Sequence, residues 1–132
     1  EIYTLSLHDA LPIFGAEKFT SAEAEADALT ASLDQRKREI EQLTAAYHAR
    51  INAYSQDVAT FNQRAAGGGF QTQAEFQTER SRLSQRGLAL RHERQAIKDK
   101  VDTYNADVEK LNALGHKIDQ LNQSLDSQKA VQ

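Results

Sequence analysis

His48, His92 and His116 are the residues whose type first suggests chemistry. Two imidazoles and a carboxylate can hold zinc. His48 and His92 would come within about one helical turn of each other if the chain folded back at its glycines. No His lies four residues from another, and no His-Glu-x-x-His occurs. The plainer reading, solvated surface histidines, is preferred, and no metal ligand is expected. Arg80, Arg82, Arg86, Arg91, Arg94, Lys98 and Lys100 form a basic stretch of the kind that meets phosphates. Glu79, Glu93 and Asp99 interrupt it, its arginines are spread around a helix, and no aromatic residues are interleaved. A salt-bridged, solvated face is the expectation, not a nucleic-acid site. Gly67-Gly68-Gly69 is no phosphate loop, because neither Lys-Ser nor Lys-Thr follows it. No Ser/His/Asp or paired-carboxylate arrangement stands out from surface polarity. The expectation is therefore no catalytic, cofactor-binding or metal residue, no cofactor and no enzymatic activity.

Such side chains can act only where the backbone holds them, and the composition says how. The only Pro is Pro12, and Ala, Gln, Leu, Arg and Glu are abundant, which favours long helices. There is no Cys, hence no disulfide and no thiolate chemistry. Lys and Arg number 16 against 19 Asp and Glu. That balance gives no reason to expect nucleic acid or an anionic membrane. No apolar run approaches the roughly 20 residues that span a bilayer.

Residues 1–13, Glu1-Ile-Tyr-Thr-Leu-Ser-Leu-His-Asp-Ala-Leu-Pro-Ile13, resemble the translation of one reading frame of a common sequencing-library adapter. The competing reading is a native strand, since Tyr3, Leu5 and Leu7 alternate. The adapter reading makes 1–13 a non-native tail to be set apart from fold reasoning. The chain also has no Met, so a fragment of a longer gene is expected, cut within its first helix.

From residue 14 the pattern is helical. Leu29, Leu33, Ile40, Leu43, Tyr47, Ile51, Tyr54, Val58, Phe61 and Ala65 follow one another mostly by three or four, which keeps one stripe on one helix face. The consecutive four-residue steps at 43, 47 and 51 would relax the supercoil locally. The stripe stops at Ala66-Gly67-Gly68-Gly69, where glycine disfavours helix and readily takes positive φ. Thr72 and Glu75 then spell a capping box, which opens the next helix. Phe76, Leu83, Leu90, Ile97, Tyr104, Leu111, Ile118 and Leu125 follow at unbroken seven-residue steps, as in a coiled-coil seam. The expected boundaries are helix 14–66, glycine turn 67–71, helix 72–126 and a frayed end over 127–132.

The two stripes fit one register. Folded so that Phe61 faces Phe76, Tyr54 meets Leu83, Tyr47 meets Leu90 and Ile40 meets Ile97. Further out Leu33 meets Tyr104, Leu29 meets Val108 and Phe19 meets Ile118. The fold class expected is all-α: a long antiparallel two-helix coiled-coil hairpin with a non-native N-terminal tail, each arm about 70 Å long. Four positions fit poorly. Arg36 would face Val101 and Leu43 would face Arg94, with the arginine stems lying over apolar surface. Gly87 and Gly115 would weaken the second helix, Gly115 at a bend or fray.

Asn recurs directly after seam residues, at Asn52, Asn62, Asn105, Asn112 and Asn122. Either these side chains hydrogen-bond across the hairpin and fix register, or they are polar positions without special partners; both readings stand. The open end is acidic, with Glu17, Glu23, Glu25 and Asp27 facing Asp107, Glu109 and Asp119, a charge asymmetry that could orient a partner.

The stretches Tyr47-His-Ala-Arg-Ile-Asn-Ala-Tyr54, Phe61-Asn62 before the glycines, and Tyr104-Asn-Ala-Asp-Val-Glu-Lys-Leu-Asn-Ala-Leu114 carry a family likeness. Over about residues 30–125 the chain resembles the helical-hairpin region of bacterial matrixin-like zinc metalloproteases, whose catalytic domain is absent here. The resemblance implies an accessory arm of a secreted or membrane-anchored protease, with the zinc-binding residues outside these 132. It carries no functional residue onto this chain, and without it the compartment is open. The residues themselves point to a coiled-coil spacer or protein-interaction arm of a larger bacterial protein. Its partner would be another protein or a second copy, with no nucleic acid, small molecule or membrane contact in the fragment.

Overall fold

A computed structural model shows an all-α helical hairpin made of α1 (Ile2–Ala66) and α2 (Gln73–Val131). It describes residues 2–131, with side chains from 17 to 127. The separate standing of residues 1–13 falls outside the fully described residues, as does all but residue 127 of the fraying expected over 127–132. The break between the helices lies where the glycines put it, and no strand occurs among the described residues.

The turn is built by the backbone itself. Gly69 N–H donates to the Arg64 carbonyl at 2.8 Å and Gly68 N–H to the Ala65 carbonyl at 3.4 Å. Gly68 takes φ +67°. These are the two reversed bonds and the left-handed residue that end a helix while satisfying its last carbonyls. A Cβ at Gly69 would lie 3.2 Å from the Arg64 carbonyl oxygen and 2.7 Å from its Cγ, so the second close approach is also met by glycine.

On the far side, Thr72 Oγ1 accepts from Glu75 N–H at 3.1 Å, and the first helical bond runs from Phe76 N–H to the Thr72 carbonyl at 3.2 Å. The capping box is half as expected. The Glu75 carboxylate does not return to Thr72; it accepts from Gln71 N–H at 3.3 Å and pairs with Arg64. Glu75 thus joins the cap to the end of α1.

The chain divides into two packing units. In residues 38–102 Phe61 stacks on Phe76, with ring centroids 5.4 Å apart and planes 26° apart, as the register requires. Phe70 closes this cluster, 5.3 Å from Phe61 and 5.4 Å from Phe76. Leu90 is buried, while Ile40, Tyr47, Tyr54, Leu83 and Ile97 are half-buried. The other unit joins residues 1–37 to 103–132. There Ala22, Leu33 and Leu114 are buried, and Leu29, Val108 and Ile118 are half-buried.

Two of the poorly fitting positions read differently in three dimensions. Gly87 is a socket: a Cβ there would lie 2.6 Å from Tyr54 Oη and 3.2 Å from Cζ. The missing side chain makes room for the phenol. Arg36 does not simply cover apolar surface; it is half-buried and donates to Asp107 at 2.6 Å. Gly115 meets nothing within 4 Å, and α2 continues through it.

Candidate functional site

Pairing of opposite charges across the hairpin is the most developed polar feature of the 38–102 unit. Glu39 accepts from Lys100 at 3.2 Å, Arg50 grips Glu93, Asp57 accepts from Arg86 at 2.7 Å, and Arg64 pairs with Glu75. As the α1 number rises the α2 number falls, which is the signature of antiparallel pairing. All four pairs are also displaced in one sense. Arg50 lies level with Gly87 in the apolar register yet reaches Glu93, farther from the turn. The physical cause is the tilt of every Cα–Cβ bond toward its own helix N-terminus. Side chains on α1 lean away from the turn and those on α2 lean toward it, so partners meet at an offset. Tyr54, reaching Gly87 beyond its level partner Leu83, obeys the same geometry.

The Arg50–Glu93 pair is two-pronged, with Arg50 Nε donating to Glu93 Oε2 at 3.1 Å and Nη2 to Oε1. This fork geometry is the strong form of the arginine–carboxylate contact. Hydrogen bonding by Arg50 holds the Glu93 carboxyl below its ordinary pKa, against a smaller opposing effect of desolvation. The same hydrogen bond raises Arg50 further.

Arg64 organises the turn end. Its Nε donates to the Gly69 carbonyl at 3.1 Å, its Nη2 meets Glu75, and its guanidinium lies 4.2 Å from the Phe70 ring centroid. A cation over an aromatic face is attracted by the ring's electron density. Beside it is a shallow hollow of about 270 Å³ between Phe61, Phe70 and Leu83. The charges at its rim are already satisfied: Asp57 by Arg86, Arg64 by Glu75, and Glu79 by Arg82. It presents no unpaired charge to hold an ionic ligand.

The residues singled out from sequence fall as follows. His48, His92 and His116 are exposed, His48 beside the Tyr47 ring at 6.0 Å. No group of three or more His, Cys, Asp or Glu suited to a metal ion occurs among the described residues. In the basic stretch, Arg82, Arg86 and Lys100 are bound to carboxylates, and Arg80, Arg91, Arg94 and Lys98 are exposed. Asn52, Asn62, Asn105, Asn112 and Asn122 are all exposed. The side-chain hydrogen bonds Arg36–Asp107, Arg50–Glu93, Arg86–Asp57 and Lys100–Glu39 cross the hairpin, each joining a cation to a carboxylate. At the acidic end Asp107 is engaged by Arg36, whereas Glu17, Glu23, Glu25, Asp27, Glu109 and Asp119 are exposed. No helix among the described residues is long and apolar enough to cross a membrane.

The cross-hairpin ion pairs are what the sequence reading missed. Their signal was present as opposite charges flanking both seams, but it appears only when the side-chain lean is added to the level register. Compared with protein-family models, with curated proteins and with solved structures, the chain matches none.

Proposed function

We propose that the chain is a coiled-coil spacer or protein-interaction arm of a larger bacterial protein, not a catalytic module. The observation that carries this reading is a narrow apolar seam in the 38–102 unit beside which Glu39, Arg50, Asp57 and Arg64 pair with Lys100, Glu93, Arg86 and Glu75. Heptad steps on both helices supply the coiled-coil geometry. The charged groups around the hollow beside Phe61 and Phe70 are all held in ion pairs. An arm of this kind acts by holding distance and by presenting its outer faces to another protein or to a second copy.

Residues 1–13 belong to this proposal as a non-native tail. The test is circular dichroism with small-angle scattering on residues 14–132. High helicity and an elongated particle are expected; a globular particle or low helicity would overturn the reading.

A further inference from the structure

The apolar seam of the 38–102 unit cannot by itself choose its alignment. Ile40, Tyr47, Tyr54 and Phe61 repeat every seven residues on α1, and Phe76, Leu83, Leu90 and Ile97 do so on α2. Slide one helix by a heptad in one sense, and Phe61 faces Leu83, Tyr54 faces Leu90 and Tyr47 faces Ile97. Slide it in the other sense, and Tyr54 faces Phe76, Tyr47 faces Leu83 and Ile40 faces Leu90. Apolar still meets apolar in both cases. Each slide does break the Phe61–Phe76 stack, leaving Phe76 level with Gly68 in the first case and Phe61 level with Gly69 in the second, so the turn end also favours the observed alignment.

The flanks behave differently. In the observed alignment Glu39–Lys100, Arg50–Glu93, Asp57–Arg86 and Arg64–Glu75 are all opposite in sign. In the first slide Arg50 would meet Lys100, Asp57 would meet Glu93, and Arg64 would meet Arg82 on one flank and Arg86 on the other. In the second, Arg50 would meet Arg86, Asp57 would meet Glu79, and Glu39 would meet Glu93. Every one of these encounters is between like charges. The reversal of sign between Arg50 and Asp57 on α1, matched by Glu93 and Arg86 on α2, makes the pattern intolerant of a shift in either direction. We propose that the cross-hairpin ion pairs are a register lock: they admit one alignment of two helices whose apolar seams would accept three. Register selection by flanking charges is a known device between coiled-coil chains; here it acts within one chain.

The chain has no native Cys, so nitroxide labels at Gln42→Cys and Ser81→Cys, both exposed sites, report alignment by pulsed electron resonance. In the full chain, Arg86→Glu, Glu93→Arg and Lys100→Glu together make three native pairs repulsive. They also turn the Arg50 and Asp57 encounters of the first slid alignment attractive, and the Arg50 and Glu39 encounters of the second. The expected result is a label separation changed by about 10 Å, the rise of seven helical residues, longer in the first slid alignment and shorter in the second. Adding Glu39→Arg, Arg50→Glu and Asp57→Arg restores complementary signs in the native alignment, and the native distance should return. A triple variant that loses helicity and regains it with the added inversions also supports the lock, since sign pattern alone would then govern folding. A triple variant that stays helical at the native distance overturns it. So does failure of the added inversions to restore the native distance.

Discussion

Replacing Gly87 with Ala sets two known effects against each other. In an open helix interior the change stabilises by about 1 kcal/mol, because Gly surrenders more backbone entropy on folding. Here the new methyl would lie 2.6 Å from Tyr54 Oη, 3.2 Å from Cζ and 3.8 Å from Cε1. The phenol must retreat by about half an ångström, and forcing atoms into an occupied seam costs about 1–3 kcal/mol. Tyr54 is only half-buried, so the lower part of that range applies. Gly87→Ala is therefore expected to leave stability unchanged or reduce it by up to about 1 kcal/mol. The decisive measurement adds Tyr54→Phe. Without Oη the nearest atom is the ring carbon at 3.2 Å, a contact that a small ring shift relieves. On that background the same Ala should stabilise by about 0.5–1 kcal/mol, a coupling of about 1 kcal/mol between the two sites. Urea unfolding followed by far-ultraviolet circular dichroism gives all four corners of the cycle. Full stabilisation by Gly87→Ala in the native background, with no coupling to Tyr54→Phe, would refute the socket.

Three further outcomes are expected. Gly68→Ala places a Cβ at φ +67° and should lower stability by about 1 kcal/mol, with Gly68→Asn milder, as read from urea midpoints. Leu90→Ala, at a site 7% exposed, should cost about 2–4 kcal/mol, whereas Leu88→Ala, at 53%, should change stability by less than about 0.5 kcal/mol; equal effects would contradict the seam assignment. The Glu93 carboxyl is lowered on folding, so its contribution is whole above the unfolded carboxylate pKa and is lost as pH falls through the folded value. Arg50, already the more basic group and raised further, stays charged throughout. The thermal midpoint should fall on acidification through that range, and Glu93→Gln should flatten that part of the profile.

The fold was legible because two different signals agreed. Seven-residue steps named the faces, and Gly67-Gly68-Gly69 followed by Thr72 and Glu75 named the place of reversal. The Phe61–Phe76 stack is that reading in three dimensions. What escaped was whatever depends on side-chain direction. Level pairing set Arg50 against Gly87 and so hid Arg50–Glu93 as well as the Tyr54 socket. It treated Gly87 as a weak point in α2, when its emptiness is filled from α1. The recurrent Asn residues have poor helix propensity, yet these cross-hairpin bonds each join an Arg or Lys to a carboxylate.

Within the 38–102 unit, stability and alignment come from different residues. Burial of the seam drives pairing in proportion to apolar area, but a heptad seam is degenerate, so this free energy does not name an alignment. Exposed ion pairs contribute little to stability one at a time, since solvent screens them and long side chains must be ordered. Their sign pattern nevertheless distinguishes alignments that the seam cannot, because a wrong alignment loses several attractions and gains several repulsions together. The turn end does both jobs. Phe61, Phe70 and Phe76 pack there, and Gly68 fixes the backbone. Arg64 ties the Gly69 carbonyl, Glu75 and the Phe70 face into one assembly. Salt and apolar truncation should therefore have separable effects. Raising ionic strength should broaden the Gln42–Ser81 label distances with little loss of helicity. Leu90→Ala should lower the unfolding midpoint while leaving those distances unchanged. A salt titration that unfolds the chain without broadening the distances would show that the ion pairs supply stability instead of alignment.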